Sequence, residues 1–248
     1  MRPSVLAASL VAAAAACTPR AVTPPTRTFA LDSPNAPAVG HSDVQMGAAR
    51  IGTIWGPELV NADTRVRHAV RRGVVVEGEA GLLHLLNEGG GDNRNAVTAR
   101  IGVLLRPPEY ETQELRVALS LGAGGGHSPA AGDWGTFDAG VLISGSHRWV
   151  RPVVGLGGGV SRPFGDTTFT VTEPDGDPTM LQLPRNLTGY YTAGIELGPP
   201  HRTVILGGSV THFWLQEPSV LAPAPAAEDA DDVDIFFAVG AAARFSLD

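Results

Sequence analysis

The sequence has no lysine at all: its 18 basic residues are all arginine, a bias that a GC-rich genome accounts for without any function. Charge of either sign is scarce, at 17% of residues against about 25% in an ordinary soluble domain. Acidic residues outnumber basic ones 25 to 18, and the net charge of −7 excludes a basic nucleic-acid-binding surface. There is one cysteine in 248 residues, so no cysteine cluster is available to hold a metal. Beyond the first 17 residues no run is long and apolar enough for a membrane-crossing helix. What is abundant narrows the choice further. Apolar residues at 43% exclude wholesale disorder, and 31 glycines with 20 prolines show no three-residue period, which excludes a collagen helix.

The N-terminus reads as an export signal. Arg2 precedes an apolar run from Val5 to Ala16, with small residues before Cys17. This run is too short for a permanent membrane anchor. Ala14-Ala15-Ala16-Cys17 resembles the lipobox of bacterial lipoproteins, which implies a diacylglyceryl group on Cys17 and a signal peptide of residues 1–16. Ordinary cleavage after Ala16, at an A-x-A site, is the alternative. By the same resemblance, Thr18 after the cysteine implies release to the outer membrane. Residues 17–40 are rich in Pro and Thr with no apolar period, and read as an extended tether ahead of a domain at 41–248.

From residue 41 onward the pattern has period two. Leu187, Gly189, Tyr191, Ala193, Ile195 and Leu197 share one face; Thr188, Tyr190, Thr192, Gly194 and Glu196 share the other. Phe137, Ala139, Val141 and Ile143 alternate with Thr136, Asp138, Gly140 and Ser144. Val97–Arg106, Leu115–Ala123 and Val233–Leu247 repeat the pattern. Each is a strand with one face in an apolar medium. The predicted strands are 43–55, 64–71, 74–86, 95–106, 114–124, 134–145, 148–160, 187–197, 202–215 and 233–246, the second being short. They number ten, or eight on a stricter reading. They run to about 10 residues, the 9 to 11 or so that a transmembrane β-strand needs, where globular strands average roughly 5 or 6.

Connections near 56–63, 87–94, 125–133, 161–186 and 216–232 are long or polar, whereas those near 72–73, 146–147 and 198–201 are tight. That alternation of loop lengths predicts an antiparallel up-and-down β-barrel in a membrane, with both termini on the short-turn side. Trp55, Trp134, Tyr190 and Trp214 fall near the long-loop ends of strands, and Trp149 and Phe245 near the opposite rim. Such rings form interfacial girdles. Together these features resemble the small outer-membrane β-barrel proteins of Gram-negative bacteria over residues 40–248. The resemblance implies contact with membrane lipid, outer-membrane localisation with the N-terminus on the periplasmic side, and handling by the barrel-assembly machinery. Members end in an aromatic residue that this machinery recognises; here Phe245 lies three residues from the end.

Charged residues on the less apolar face are Glu77, Glu79, Arg100, Arg116, Asp138, Glu196 and Arg244. In so narrow a barrel they are expected to fill the lumen as an ion-pair network; a narrow polar conduit is the functional alternative. The glycine runs at 122–124 and 155–159 open no helix and are expected to allow close packing rather than to cradle a phosphate. Seven histidines (41, 68, 84, 127, 147, 201, 212) lack metal-ligand spacing, and the loop acids at 173–177 and 228–234 do not fit a calcium loop. No metal or cofactor is expected. His127-Ser128, or His212 with Ser209 and Thr211, would be the place for a rim acyl hydrolase, but no acid completes a triad.

The expected function is a non-enzymatic outer-membrane barrel lipoprotein with a structural, surface-interaction or narrow-channel role and an external partner of unknown identity. The alternative is a soluble, lipid-anchored barrel with its apolar faces turned inward around a small apolar ligand, since sequence alone does not fix which face is in. A lipid-modifying enzyme is the third reading. On the first, Val141→Arg and Ile195→Arg impair assembly while Thr192→Arg is milder.

Overall fold

The computed structural model describes residues 23–25, 27, 29, 31–52, 58–86, 95–107, 115–129, 132–145, 147–165, 168–172, 178–182, 185–215 and 233–247. The signal peptide, Cys17, Trp55 and the acidic stretches at 173–177 and 228–232 lie outside the described residues.

Ten strands close into a barrel. In chain order they are β1 (Ser42–Gly52), β2 (Glu58–Arg71), β3 (Val74–Leu85), β4 (Asn95–Leu105), β5 (Leu115–Ser128), β6 (Gly132–Gly145), β7 (Val150–Phe164), β10 (Asn186–Leu197), β11 (Arg202–Leu215) and β12 (Val233–Leu247). Two further strands, β8 (Thr168–Thr172) and β9 (Pro178–Gln182), form a separate hairpin in the connection from β7 to β10. Each barrel strand runs antiparallel to both neighbours, and β1 pairs β12 from Ser42↔Leu247 to Gly52↔Phe237, which closes the ring. The fold is therefore the antiparallel up-and-down barrel predicted from the alternation, with ten strands rather than eight.

Two lengths differ from expectation. β2 spans 14 residues, not eight, because Asn61, Asp63, Arg65 and Arg67 continue its polar face beside Val60, Ala62 and Val66. β5 runs to Ser128 and β6 starts at Gly132, so the long loop expected at 125–133 shrinks to three intervening residues as both strands extend past the apolar part of their alternation.

The polarity of the wall is inside-out. Ile101 is 74% exposed, Val239 72% and Tyr191 61%, whereas Arg67 and Glu196 are both 0% exposed. Val141, Ile143 and Ile195 lie on the outward face; Asp138, Thr192 and Glu196 are buried. Period two explains it: one parity of every strand meets the surroundings and the other meets the lumen. The chain does not adopt the inward-apolar arrangement of a barrel around an apolar ligand.

The lumen is occupied by the chain itself. Residues expected to form a tether instead run through the barrel: Thr23, Arg27, Phe29, Leu31, Asp32, Ser33 and Asn35 are all buried. At the short-turn end Gly40, with φ of +83°, turns the chain from the lumen into β1 and donates its N–H to the carbonyl of Ala69 at 2.8 Å. At the other end the carbonyl of Thr23 accepts from the Asn186 amide at 3.0 Å. Asn186 pairs with Ser161 and Leu215, at the long-loop ends of β7 and β11. Both ends of the barrel sequence lie at the short-turn rim, but the segment before β1 travels back up the lumen. The first described residue, Thr23, therefore stands at the long-loop rim.

Candidate functional site: the plugged lumen

A buried polypeptide segment must have its backbone polar groups satisfied, and here side chains of the wall do so. The Gln45 amide donates to the Leu31 carbonyl at 3.4 Å, Arg67 to that of Ser33 at 3.2 Å and Arg244 to that of Asn35 at 3.5 Å. Ser161 donates to the carbonyl of Pro24 at 3.4 Å. The plug also makes one apolar contact zone. Phe29 and Leu31 pack with Ala49, Ile51, Ile205, Phe213, Phe236 and Ala238 on the β1, β11 and β12 side of the lumen.

On the β2, β3, β4 and β6 side the contacts are ionic. The Arg27 guanidinium donates to Glu77 at 2.6 Å, to Glu79 at 2.8 Å and to Asp32 at 3.2 Å. Arg65 reaches Asp32 and Glu79, each at 2.9 Å, and Arg67 holds Asp43 through two bonds of 2.8 and 2.7 Å. Arg100 grips Asp138 with two bonds of 2.7 Å and also donates to Glu77. Four arginines thus face five carboxylates; without the plug's Arg27 and Asp32, three arginines face four carboxylates, and Glu77 and Glu79 each lose one of two guanidinium partners. The plug therefore completes the ion network of the wall, because a weakened buried ion group is destabilising.

A second cluster lies nearer the short turns. Glu196 accepts from Arg151 at 2.8 Å and pairs with Arg244 at 2.9 Å, while the Asn35 amide of the plug donates to it at 2.5 Å. Arg116, half-buried, donates to the Asn35 side-chain carbonyl. Of the lumen residues expected from sequence, Glu77, Glu79, Arg100 and Asp138 come together in the first cluster, Glu196 and Arg244 in the second, and Arg116 at its edge. Arg27, Asp32, Asn35, Asp43, Arg65, Arg67 and Arg151 were not expected there. The strand alternation carries signals for Asp43, Arg65, Arg67 and Arg151; the plug residues carry no local pattern.

Inward glycines make the room. A Cβ on Gly122 would sit 2.1 Å from the Arg100 guanidinium, and one on Gly140 or Gly157 would sit 2.4 Å from the Tyr190 hydroxyl. On Gly194 and Gly207 it would meet Leu31 at 2.7 and 2.8 Å, and on Gly240 it would meet Phe29 at 2.8 Å. Gly122→Leu is accordingly expected to displace Arg100 and cost roughly 3 kcal/mol or more, through overpacking and a broken ion pair. Urea unfolding in detergent measures it; an unchanged midpoint would show that Arg100 does not need the space. The same crowding corrects the expectation for Thr192. Its hydroxyl lies 2.7 Å from a Cβ position on Gly155 and the residue is 4% exposed, so arginine there has no lumen to enter.

The aromatic residues divide differently from expectation. Phe245 and Trp214 lie on the outer face near strand ends, and Trp149, 51% exposed, lies just before β7 at the short-turn rim. Trp134 is 3% exposed and points inward, its ring against the Cα side of Gly126. Tyr190 also faces the lumen. The alternation that places Asp138 and Thr192 inside requires both results, since Trp134 and Tyr190 have the same parity. Phe137, Phe164, Phe237 and Tyr191 are outward rings that stand toward the long-loop half.

Neither Ser/His pair assembles. Ser128 and Ser209 are buried on the inward parity of β5 and β11, and their neighbours His127 and His212 lie on the outward parity. His127 pairs with Asp133 at 2.7 Å in an exposed contact, and His212 stacks on Trp214 at 5.9 Å. No group of three metal-ligating side chains occurs among the described residues.

No protein-family model matches the sequence, and no curated protein matches it. Several solved structures are similar, all of them bacterial outer-membrane β-barrel proteins. Neisserial surface protein A shares 8% identity, with a TM-score of 0.37 over 84% of this chain and 96% of that one. The outer membrane protease OmpT from Escherichia coli shares 8%, with a TM-score of 0.42 over 87% of this chain and 100% of that one. Ail, the attachment invasion locus protein of Yersinia pestis, shares 13%, with a TM-score of 0.31 over 84% and 100%.

Proposed function

We propose that this protein is a self-plugged outer-membrane β-barrel with a structural or surface-interaction role, non-enzymatic and closed to ion flow. The observation that carries this reading is a lumen filled by the described residues from Thr23 to Pro37 inside a wall whose outer face is apolar. Strands of 11 to 15 residues exceed the 9 to 11 or so that cross a bilayer. A continuous outward surface of Ile101, Val141, Leu156, Val204 and Val239 has little affinity for water and suits lipid.

The N-terminal segment in this reading emerges at the long-loop face, the cell exterior in barrels of this kind. Cys17 stands six residues before Thr23, a reach of at most about 22 Å. A lipid on Cys17 would then enter the leaflet on the long-loop side rather than the periplasmic one. The barrel would display its own N-terminus and long loops to an external partner.

Two measurements test this. An epitope inserted between residues 20 and 21 should bind antibody on intact cells, and binding only after permeabilisation would overturn the threaded topology. Ile101→Arg and Val141→Arg should each cost about 2–4 kcal/mol in lipid vesicles, the range for arginine on a lipid-facing mid-barrel site. Equal stability of these variants would mean that the outer face does not meet lipid.

A further inference from the structure

The plug leaves a vestibule of about 270 Å³ at the short-turn mouth. Its inner wall is the plug itself at Asn35, Ala36 and Pro37. Around it stand Arg116, Arg148, Arg151 and Arg244, with His147 and His201 from two short turns. The one carboxylate lining it, Asp43, is already held through both oxygens by Arg67. Glu196 offsets one charge, shared between Arg151 and Arg244. Arg116 is held by the Asn35 carbonyl, and Arg148 lies over the Trp149 ring at 5.5 Å. Among the described residues the mouth therefore carries a surplus of about three positive charges in a partly enclosed space, where charge-assisted hydrogen bonds to planar guanidinium groups are strong and selective for oxyanions.

We propose that this vestibule binds a compact polyanion bearing two or more phosphate or carboxylate groups. At about 30 Å³ per water the space holds roughly nine water molecules, room for a pyrophosphate together with part of its hydration. Arg116 on β5 and Arg148 in the turn after the neighbouring β6 line one part of the space, and Arg151 on β7 and Arg244 on β12 add positive charge to it. The site is a property of the folded barrel and plug and does not depend on whether the long-loop face is external.

Pyrophosphate is the probe, titrated calorimetrically into the full chain in non-ionic detergent at low salt. One saturable site is expected, weakening as salt rises. Arg148→Gln, on an exposed turn, should weaken it about tenfold, and Arg116→Gln by at least as much. Because Arg116→Gln also frees Asn35, Arg148→Gln combined with His201→Asn gives a second variant that leaves the plug contacts intact. Arg162→Gln, on the outward face of β7 at the far rim, should change nothing. Repeating the titration in nanodiscs with and without phosphatidylglycerol separates the sources. Binding lost only with the anionic lipid marks a lipid headgroup as occupant, and binding kept in both marks a soluble anion. No saturable heat, or affinity unchanged in both short-turn variants, or an equal loss in Arg162→Gln, would overturn the proposal.

Discussion

A chain lacking residues 23–38 should pass ions across a planar bilayer where the intact chain passes none. Eight strands enclose a space that side chains alone just fill, and ten enclose more. In this barrel the inward positions at Gly194, Gly207 and Gly240 carry no side chain, and Leu31 and Phe29 stand in the space they leave. Deleting the plug therefore empties a continuous column along the β1, β11 and β12 side. It also strips Arg27 from Glu77 and Glu79, leaving each with one guanidinium partner in a water-filled wall where four carboxylates face three arginines, which favours cations on that side. The deleted chain should lose stability as well, unfolding at lower urea than the intact one. Silent bilayers from a deleted chain that still shifts on unboiled gels would mean that the wall closes without the plug.

Glu196→Leu should be the most damaging single substitution, at about 3–5 kcal/mol, because it leaves two buried guanidinium groups without their carboxylate. Arg151 and Arg244 are each 3% exposed and share that one acid, and Asn35 of the plug loses the same partner. The exposed pair of Arg50 with Glu58 is the comparison: Glu58→Ala should cost at most about 1 kcal/mol. Replacing Arg151 and Arg244 by Met in the Glu196→Leu chain should recover much of the loss, since apolar substitution of a whole buried ion group is often neutral. Urea midpoints of the four chains, followed by gel mobility, decide it. A Glu196→Leu chain as stable as Glu58→Ala would show that water, not protein, surrounds this cluster.

The wall of this protein is legible in its sequence and its contents are not. Alternation is a local property, so Val97 to Leu105 or Phe137 to Gly145 reveals both the strand and its polarity without reference to any other segment. The same rule already places Trp134 and Tyr190 inside; their nearness to strand ends is a weaker cue than their parity. The plug has no such rule. Arg27, Phe29, Asp32 and Asn35 meet different strands, so apart from the Arg27–Asp32 pair what organises them is the barrel around them. Proline excludes helix there, but it does not exclude burial in a lumen whose Gln45, Arg67, Asn186 and Arg244 side chains satisfy backbone carbonyls. The traces left in the sequence are indirect: more acid than base among inward positions of β1, β2, β3 and β6, and inward glycines that no neighbouring side chain fills.

Photocrosslinking from position 29 tests the threaded lumen most directly. With a benzophenone side chain in place of Phe29, irradiation of the folded barrel should join residue 29 to peptides holding Ala49–Ile51 of β1 and Ala238–Ala242 of β12, the groups against which Phe29 packs. The adduct should form within a single chain and disappear when the barrel is unfolded before irradiation. Absence of these adducts, together with cleavage of residues 23–38 by a protease that leaves the barrel intact, would place the segment outside the lumen and contradict the self-plugged barrel.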